Sequence, residues 1–193
     1  MRVMLIRHGE KPSHPRKPPF GVDAKGNRDF ESLAVRGWQR AGALVALLAP
    51  AHGRLLWDPD LARPDLVYAA NPSPVGHAGG RPSQRPWQTI APLAAALGLT
   101  PNLTHAKGEE LALTEEVLGR RGNVLISWSH EALPAIARLI ATSAPTPPPM
   151  IPASWPDERY DLVWVLTAPE ASGRWGFAQV SQLLLAGDTA THI

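Results

Sequence analysis

Apolar positions fall into short runs separated by polar and proline-rich stretches, and the spacing within each run predicts an element. Residues 2–6, RVMLI, are a short apolar run and predict a buried strand. A polar stretch with Pro and Gly follows over 11–32, where DAKGN is a turn signal. From Val35 to Leu48 the apolar residues Trp38, Ala41, Leu44, Val45 and Leu48 recur at helical spacing, and Pro50 ends the helix. DLVYAA, 65–70, predicts a second strand, closed by Asn71-Pro72. A helix is expected from Pro86 to about Leu97, since proline suits a first helical turn and Gly98 a helix end. NLTHA, 102–106, reads as a weak third strand, and 109–119 as helix. NVLISWS, 123–129, is a clear strand, and LPAIARLIA after it is a helix with proline in its opening turn. DLVWVLTA, 161–168, and GFAQVSQLLL, 176–185, predict late strands that pair as a hairpin.

Strands alternating with helices define an α/β chain: a mostly parallel central sheet with helices on both faces, a three-layer α/β/α sandwich. Ligands of such sheets bind outside the carboxyl ends of the strands. Arg7 and His8 end the first strand, Ser129 and His130 end a later one, and Arg85 sits where a loop enters a helix. Two histidines and two arginines are thus expected on one rim.

Composition narrows this picture. A chain of 193 residues, 44% hydrophobic and 19% charged, suits one globular domain over 1–193. The prolines concentrate at 12–19, 72–86 and 145–156, which predicts three surface loops, and there is no internal repeat. A net charge of +2 is too small for a nucleic-acid surface without a basic cluster. The nearest approach to one is Lys11, His14, Arg16 and Lys17, which reads as a solvated loop or as a substrate-facing one. The absence of cysteine excludes disulfides, thiolate zinc and thiol catalysis. No apolar stretch reaches the roughly 18 residues that cross a bilayer. No secretory leader is expected, because the first apolar run ends at Arg7. The expectation is a cytoplasmic protein with no membrane or nucleic-acid partner; its oligomeric state is left open.

The rim residues define a chemistry. Two arginines facing one pocket repel unless an anion lies between them, and the guanidinium fork matches phosphate oxygens. A neutral imidazole there can attack phosphorus. A second, protonated histidine can donate to the oxygens that gain charge, and a carboxylic acid can protonate the leaving oxygen. Water then hydrolyses the phosphohistidine. This chemistry calls for no metal or other cofactor.

These residues resemble the histidine phosphatase superfamily, also called phosphoglycerate-mutase-like. Its Arg-His-Gly signature is matched by Arg7-His8-Gly9, with Glu10 extending it. Its Leu-x-x-x-Gly-x-x-x-Ala helix start is matched by Leu33, Gly37 and Ala41, and its Arg-x-x-Gln-Thr element by Arg85, Gln88 and Thr89. Its second histidine is matched by His130, so the resemblance spans roughly residues 2 to 140. It implies that His8 is the phosphorylated nucleophile, that Arg7 and Arg85 clamp the phosphoryl group, and that His130 completes the pocket. Gly9 and Lys11 are placed at the substrate with them. An inserted loop, PVGHAGGRPSQ, leaves Arg81 or Arg85 as the second clamp, and Gln88-Thr89 favours Arg85. One branch of the family takes its acid from the loop after the third strand, which maps to Glu109 with Glu110 beside it. Another takes it from the residue after the second histidine, here Glu131. Glu109 is the preferred candidate, because Glu131 also suits a helix N-terminus. The implied function is hydrolysis of a phosphomonoester. The alternatives are a protein phosphohistidine phosphatase and a non-catalytic phospho-ligand binder. A mutase is disfavoured, since no large cap segment separates the motifs.

Other motifs do not hold up. SHEALP is no zinc helix, because Pro134 stands four residues after His130; Gly79-Gly80 lacks the Gly-Lys-Ser/Thr of a P-loop. Glu10 reads as a structural partner of a basic group. His14, His52, His77 and His105 read as surface or loop residues. Trp38, Trp87 and Trp164 read as core, whereas Trp128, beside His130, and Trp155 are candidates to wall a substrate pocket. Specificity is expected in loops 11–32, 72–84 and 142–160, which carry no readable motif.

Overall fold

In a computed structural model, residues 1–51, 58–73, 82–144, 146–168 and 173–193 are described. The elements follow the order β1 (Arg2–Arg7), α1 (Val35–Leu48), β2 (Leu66–Ala69), α2 (Arg85–Leu97), α3 (Glu110–Leu118), β3 (Asn123–Trp128), α4 (Leu133–Ala141), β4 (Leu162–Thr167) and β5 (Gly176–Ser181). The sheet order is β2-β3-β1-β4-β5, so β1 is central. β1 and β2 each pair with β3 in parallel. β4 runs against both β1 and β5, so it alone opposes the other four strands. The late hairpin therefore makes the sheet mostly, not wholly, parallel.

Side-chain alternation along β1 divides the core into two layers. Val3 and Leu5 face Leu113 and Val117 of α3 and Leu133, Ile136 and Ile140 of α4. Met4 and Ile6 face Leu44 and Leu48 of α1 and Ile90 and Leu93 of α2. Period-2 alternation on a sheet covered on both faces makes every β1 position from Val3 to Arg7 buried, which is why the run reads as continuously apolar. Among the described residues no helix is long and apolar enough to cross a membrane.

Two expected strands are corrected. Residues 102–106 form no strand; only Asn102 bridges to Tyr68. The segment lies along the edge of β2 through Asn102 N–H to Val67 O, Ala69 N–H to Asn102 O and Asn71 N–H to His105 O. Its polar side chains turn away from a ladder: Asn102 Nδ2 and His105 Nε2 both meet the Glu116 carboxylate. β5 stops at Ser181 and not at 185: Gln182 N–H still bonds to Asp161 O, the next position opposite it, but Leu183 then adopts φ 50° and turns the chain out of the ladder.

The loop after β1 is held tightly against α1. A Cβ on Gly9 would stand 2.9 Å from Gly37 O, and one on Gly37 would stand 2.5 Å from Glu10 O. Only glycine at both positions permits this approach. Ala34 N–H, at the entry to α1, donates to Glu10 O at 2.9 Å. The helix-start motif and the strand-end motif are thus two sides of one contact.

Candidate active site

The carboxyl ends of the parallel strands open onto a cavity of about 290 Å³. His8 and Lys11 reach it after β1, Ala70 and Asn71 after β2, and Ser129, His130 and Glu131 after β3. Arg85 and Pro86 enter from the start of α2, and Lys107 from the loop before α3.

His8 is buried, and its Nδ1 lies 2.8 Å from the Gly9 carbonyl. A carbonyl only accepts, so Nδ1 carries the proton and Nε2 keeps the lone pair. Burial, then the Arg7, Arg85 and Lys11 charges, push the His8 pKa down to about 3, against the opposing pull of the Gly9 carbonyl. The imidazole is therefore neutral and in the tautomer a nucleophile needs. A stability consequence follows from the same shift. The unfolded histidine titrates near 6.5, so between pH 6.5 and about 3 the unfolded chain binds the extra proton. The contribution of His8 to stability is present above that window and is lost as pH falls through it. In urea unfolding, the natural chain is expected to lose more stability than His8→Gln between about pH 7 and pH 5.

The start of α2 is tied to His8 through Thr89. Its hydroxyl accepts from Gly9 N–H at 2.8 Å and donates to Arg85 O at 2.8 Å. Gln88 accepts from Leu33 N–H and donates to Ser32 Oγ, each at 2.8 Å. The Gln-Thr pair thus positions the loop carrying Arg85 without touching the cavity. Arg85 donates to Phe30 O at 2.6 Å and to Glu31 Oε2 at 3.3 Å. The buried Nε of Arg85 and Oγ of Ser129 have no hydrogen-bond partner among the described residues, and both residues line the cavity. Burial lowers the Arg85 pKa from its ordinary value, and Glu31 opposes this.

Arg7 differs from expectation. It is 0% exposed and does not line the cavity. Its Nη2 donates to Asp157 Oδ1 at 2.8 Å and to Tyr160 Oη at 3.1 Å, and its guanidinium lies 3.8 Å over the Tyr160 ring. Its Nη1 donates to the backbone carbonyls of Pro156, Asp157 and Arg159. His130 lines the cavity with Nε2 3.4 Å from Asp157 Oδ1. Burial, then Arg7, hold its pKa below the ordinary histidine value, so at neutral pH this is no ion pair. The protonated second histidine expected from the sequence is neutral in the resting site, because Asp157 and Glu131 do not outweigh burial and Arg7.

The two acid candidates separate. Glu109 does not line the cavity; it is exposed and accepts from Ala106 N–H at 2.7 Å. Its neighbour Glu110 accepts from Trp128 Nε1 at 2.9 Å and Gly108 N–H at 3.0 Å. Glu131 lines the cavity and pairs with Lys107, which holds its carboxyl below the usual carboxylate range.

Gly9 serves the helix contact and does not line the cavity. Trp128 is corrected from pocket wall to core: it is 0% exposed, because its β3 position faces α3 and α4. Trp155 is likewise buried, its ring tilted against Trp164 with centroids 4.8 Å apart and its Nε1 donating to Arg159 O. Arg81, His52, His77 and Gly79-Gly80 lie outside the described residues. Asp157, Tyr160 and Lys107 were not singled out from the sequence. Asp157 and Tyr160 stand about 150 residues from Arg7, and no local pattern marks them.

No protein-family model and no curated protein matches the chain. Solved structures do. Mycobacterial hydrolase 1 superposes with a TM-score of 0.50 at 14% identity, covering 92% of this chain and 96% of that one. A mutant phosphoserine phosphatase from Entamoeba histolytica, in complex with phosphoserine, gives 0.50 at 12% identity, covering 95% and 98%. The protein histidine phosphatase SixA complexed with tungstate gives 0.47 at 20% identity, covering 94% and 97%. The class is thus an α/β/α sandwich with a cavity at the carboxyl ends of the parallel strands. More particularly, the chain has the histidine phosphatase, or phosphoglycerate-mutase-like, fold.

Proposed function

We propose that this chain is a phosphatase that hydrolyses a small phosphomonoester through a phosphohistidine on His8. The observation that carries the reading is the neutral His8 with its Nδ1 proton held by Gly9 O and its Nε2 lone pair available at the cavity. In the first step Nε2 attacks phosphorus, the P–O ester bond breaks, and the leaving oxygen departs with the bonding pair and takes a proton from water. In the second step water attacks phosphorus, the P–N bond breaks, and inorganic phosphate leaves His8 neutral again. The Arg85 and Lys11 charges, the Ser129 hydroxyl and the His130 N–H supply donors for the phosphoryl oxygens as charge develops. Arg7 joins them once its Asp157 contact opens.

Glu131 is the acid candidate at the cavity, but Lys107 keeps it ionised near neutral pH. An ionised carboxylate cannot protonate a leaving alkoxide. This favours substrates whose leaving group needs little protonation. It also supports a second reading, a protein phosphohistidine phosphatase, since the P–N bond of phosphohistidine is more labile than an alkyl P–O bond.

The test is turnover of an aryl phosphate, an alkyl phosphate and phosphohistidine at one pH, with acid-labile phosphoenzyme followed by mass. The aryl ester and phosphohistidine are expected to turn over at least about 10²-fold faster than the alkyl ester, the usual worth of an acid. Equal rates on alkyl and aryl esters would show that a working acid is present. Phosphate binding without turnover of any substrate would instead favour a non-catalytic phospho-ligand binder.

A further inference from the structure

The Asp157 carboxylate lies among the donors that the proposed phosphatase needs for its substrate. Oδ1 is 2.8 Å from Arg7 Nη2, 3.0 Å from Lys11 Nζ and 3.4 Å from His130 Nε2. Arg7 and Lys11 are cations that repel unless an anion lies between them, and here the anion is a side chain of the same molecule. Lys11, then Arg7, hold the Asp157 carboxyl down to about 2, so it stays charged throughout the working pH range.

The segment that carries Asp157 is anchored by buried side chains, whereas the carboxylate is held only by its ion pairs and is open to solvent. Trp155 is buried with Nε1 on Arg159 O. Tyr160 packs against the Arg7 guanidinium, and Arg7 Nη1 donates to three backbone carbonyls of the segment. The Asp157 side chain, by contrast, is 64% exposed. Rotation about its side-chain bonds moves the carboxylate into water while the backbone stays in place. Arg7 then keeps Tyr160 and the backbone carbonyls as partners, and frees the Nη2 edge that Asp157 had covered.

Resting on the phosphatase reading, we propose that Asp157 is an internal competitor for the phosphoryl site, its carboxylate occupying Arg7, Lys11 and His130 until a phosphorylated ligand displaces it. A dianionic phosphoryl group has three oxygens to offer these donors, so it can displace a single monoanionic carboxylate. Until then the ligand-competent state is only a fraction of the population, and the apparent affinity for phosphate is reduced by that fraction.

The test is the affinity for inorganic phosphate, by calorimetry on the full chain. It compares the natural protein with Asp157→Asn, Asp157→Ala and Glu158→Gln, and thermal unfolding confirms that each variant is folded. Glu158→Gln removes the same charge one residue further on, from a side chain with no hydrogen bond or ion pair to Arg7. Both Asp157 variants are expected to bind phosphate about 5- to 10-fold more tightly, with Glu158→Gln within about twofold of natural. Unchanged or weaker binding in the Asp157 variants, while the natural chain binds, would overturn the inference, leave the phosphate site standing and make Asp157 a support for Arg7. An equal gain from Glu158→Gln would reduce the effect to net charge and overturn it too. Absence of phosphate binding by the natural chain and all variants would overturn the phosphatase reading, and the inference with it.

Discussion

Replacing His8 by alanine is expected to lower turnover of an aryl phosphate by at least about 10³-fold, the scale of losing a nucleophile. The expectation rests on geometry and charge together. His8 is neutral because it is buried among the cationic Arg7, Arg85 and Lys11, and its tautomer is set by the Gly9 carbonyl. The other described histidine at the cavity, His130, is half-buried on another strand end with its Nε2 turned to Asp157 and is not placed to take over the attack. Phosphate binding is expected to survive the substitution, because Arg85, Lys11 and Ser129 remain at the cavity. Initial rates and phosphate affinity, measured on the same preparation, check both halves. Undiminished turnover in His8→Ala would remove the phosphohistidine mechanism. Lost binding with lost turnover would point to a collapsed site and not to a missing nucleophile.

The largest effect on stability is expected from Arg40→Ala, a loss of about 3–5 kcal/mol in urea unfolding. Arg40 is buried, and its five N–H groups are all engaged. Nε donates to Glu10, Nη1 to Gln182 Oε1 and Asp188 Oδ2, and Nη2 to Glu10 Oε1 and Asp188 Oδ1. Removing the guanidinium leaves two largely buried carboxylates facing each other with a single exposed cation, Arg36, to share. Breaking a buried pair from one side costs far more than the pair contributes, because the remaining charge stays desolvated. Arg36→Ala, on a half-exposed side chain, is the comparison and should cost under about 1 kcal/mol. Glu10 follows Gly9 directly, so the Arg40 variant is also expected to loosen the His8 loop and lower activity in the molecules that remain folded. Equal midpoints for the two variants would show that the cluster contributes no more than a surface pair.

The elements that carry the site were legible because their signals are local. The apolar run before Arg7, the helical spacing from Val35 and the prolines that open helices just after Arg85 and His130 each depend on residues within a few positions of one another. The same holds for the Gly9–Gly37 contact, whose two halves lie within recognisable motifs. Trp128 and Trp155 were misread for the complementary reason. Being near His130, or in a proline-rich loop, says nothing about which way a side chain points, and both tryptophans turned to the core.

What the sequence determined by itself was the α/β class and the end of the sheet where His8, Arg85 and His130 line one cavity, though not that Arg7 lies buried off it. Strand ends in a parallel sheet converge whatever fills the loops. The tertiary structure decided what each of those groups can do. It set the tautomer of His8, sealed Arg7 beneath Asp157 and Tyr160, turned Glu109 away and placed Glu131 against Lys107. Apart from the His8–Gly9 and Glu109–Ala106 bonds, these are contacts between segments far apart in the chain. Electrostatic energy depends on distance and burial in space, and neither can be read from order along a sequence.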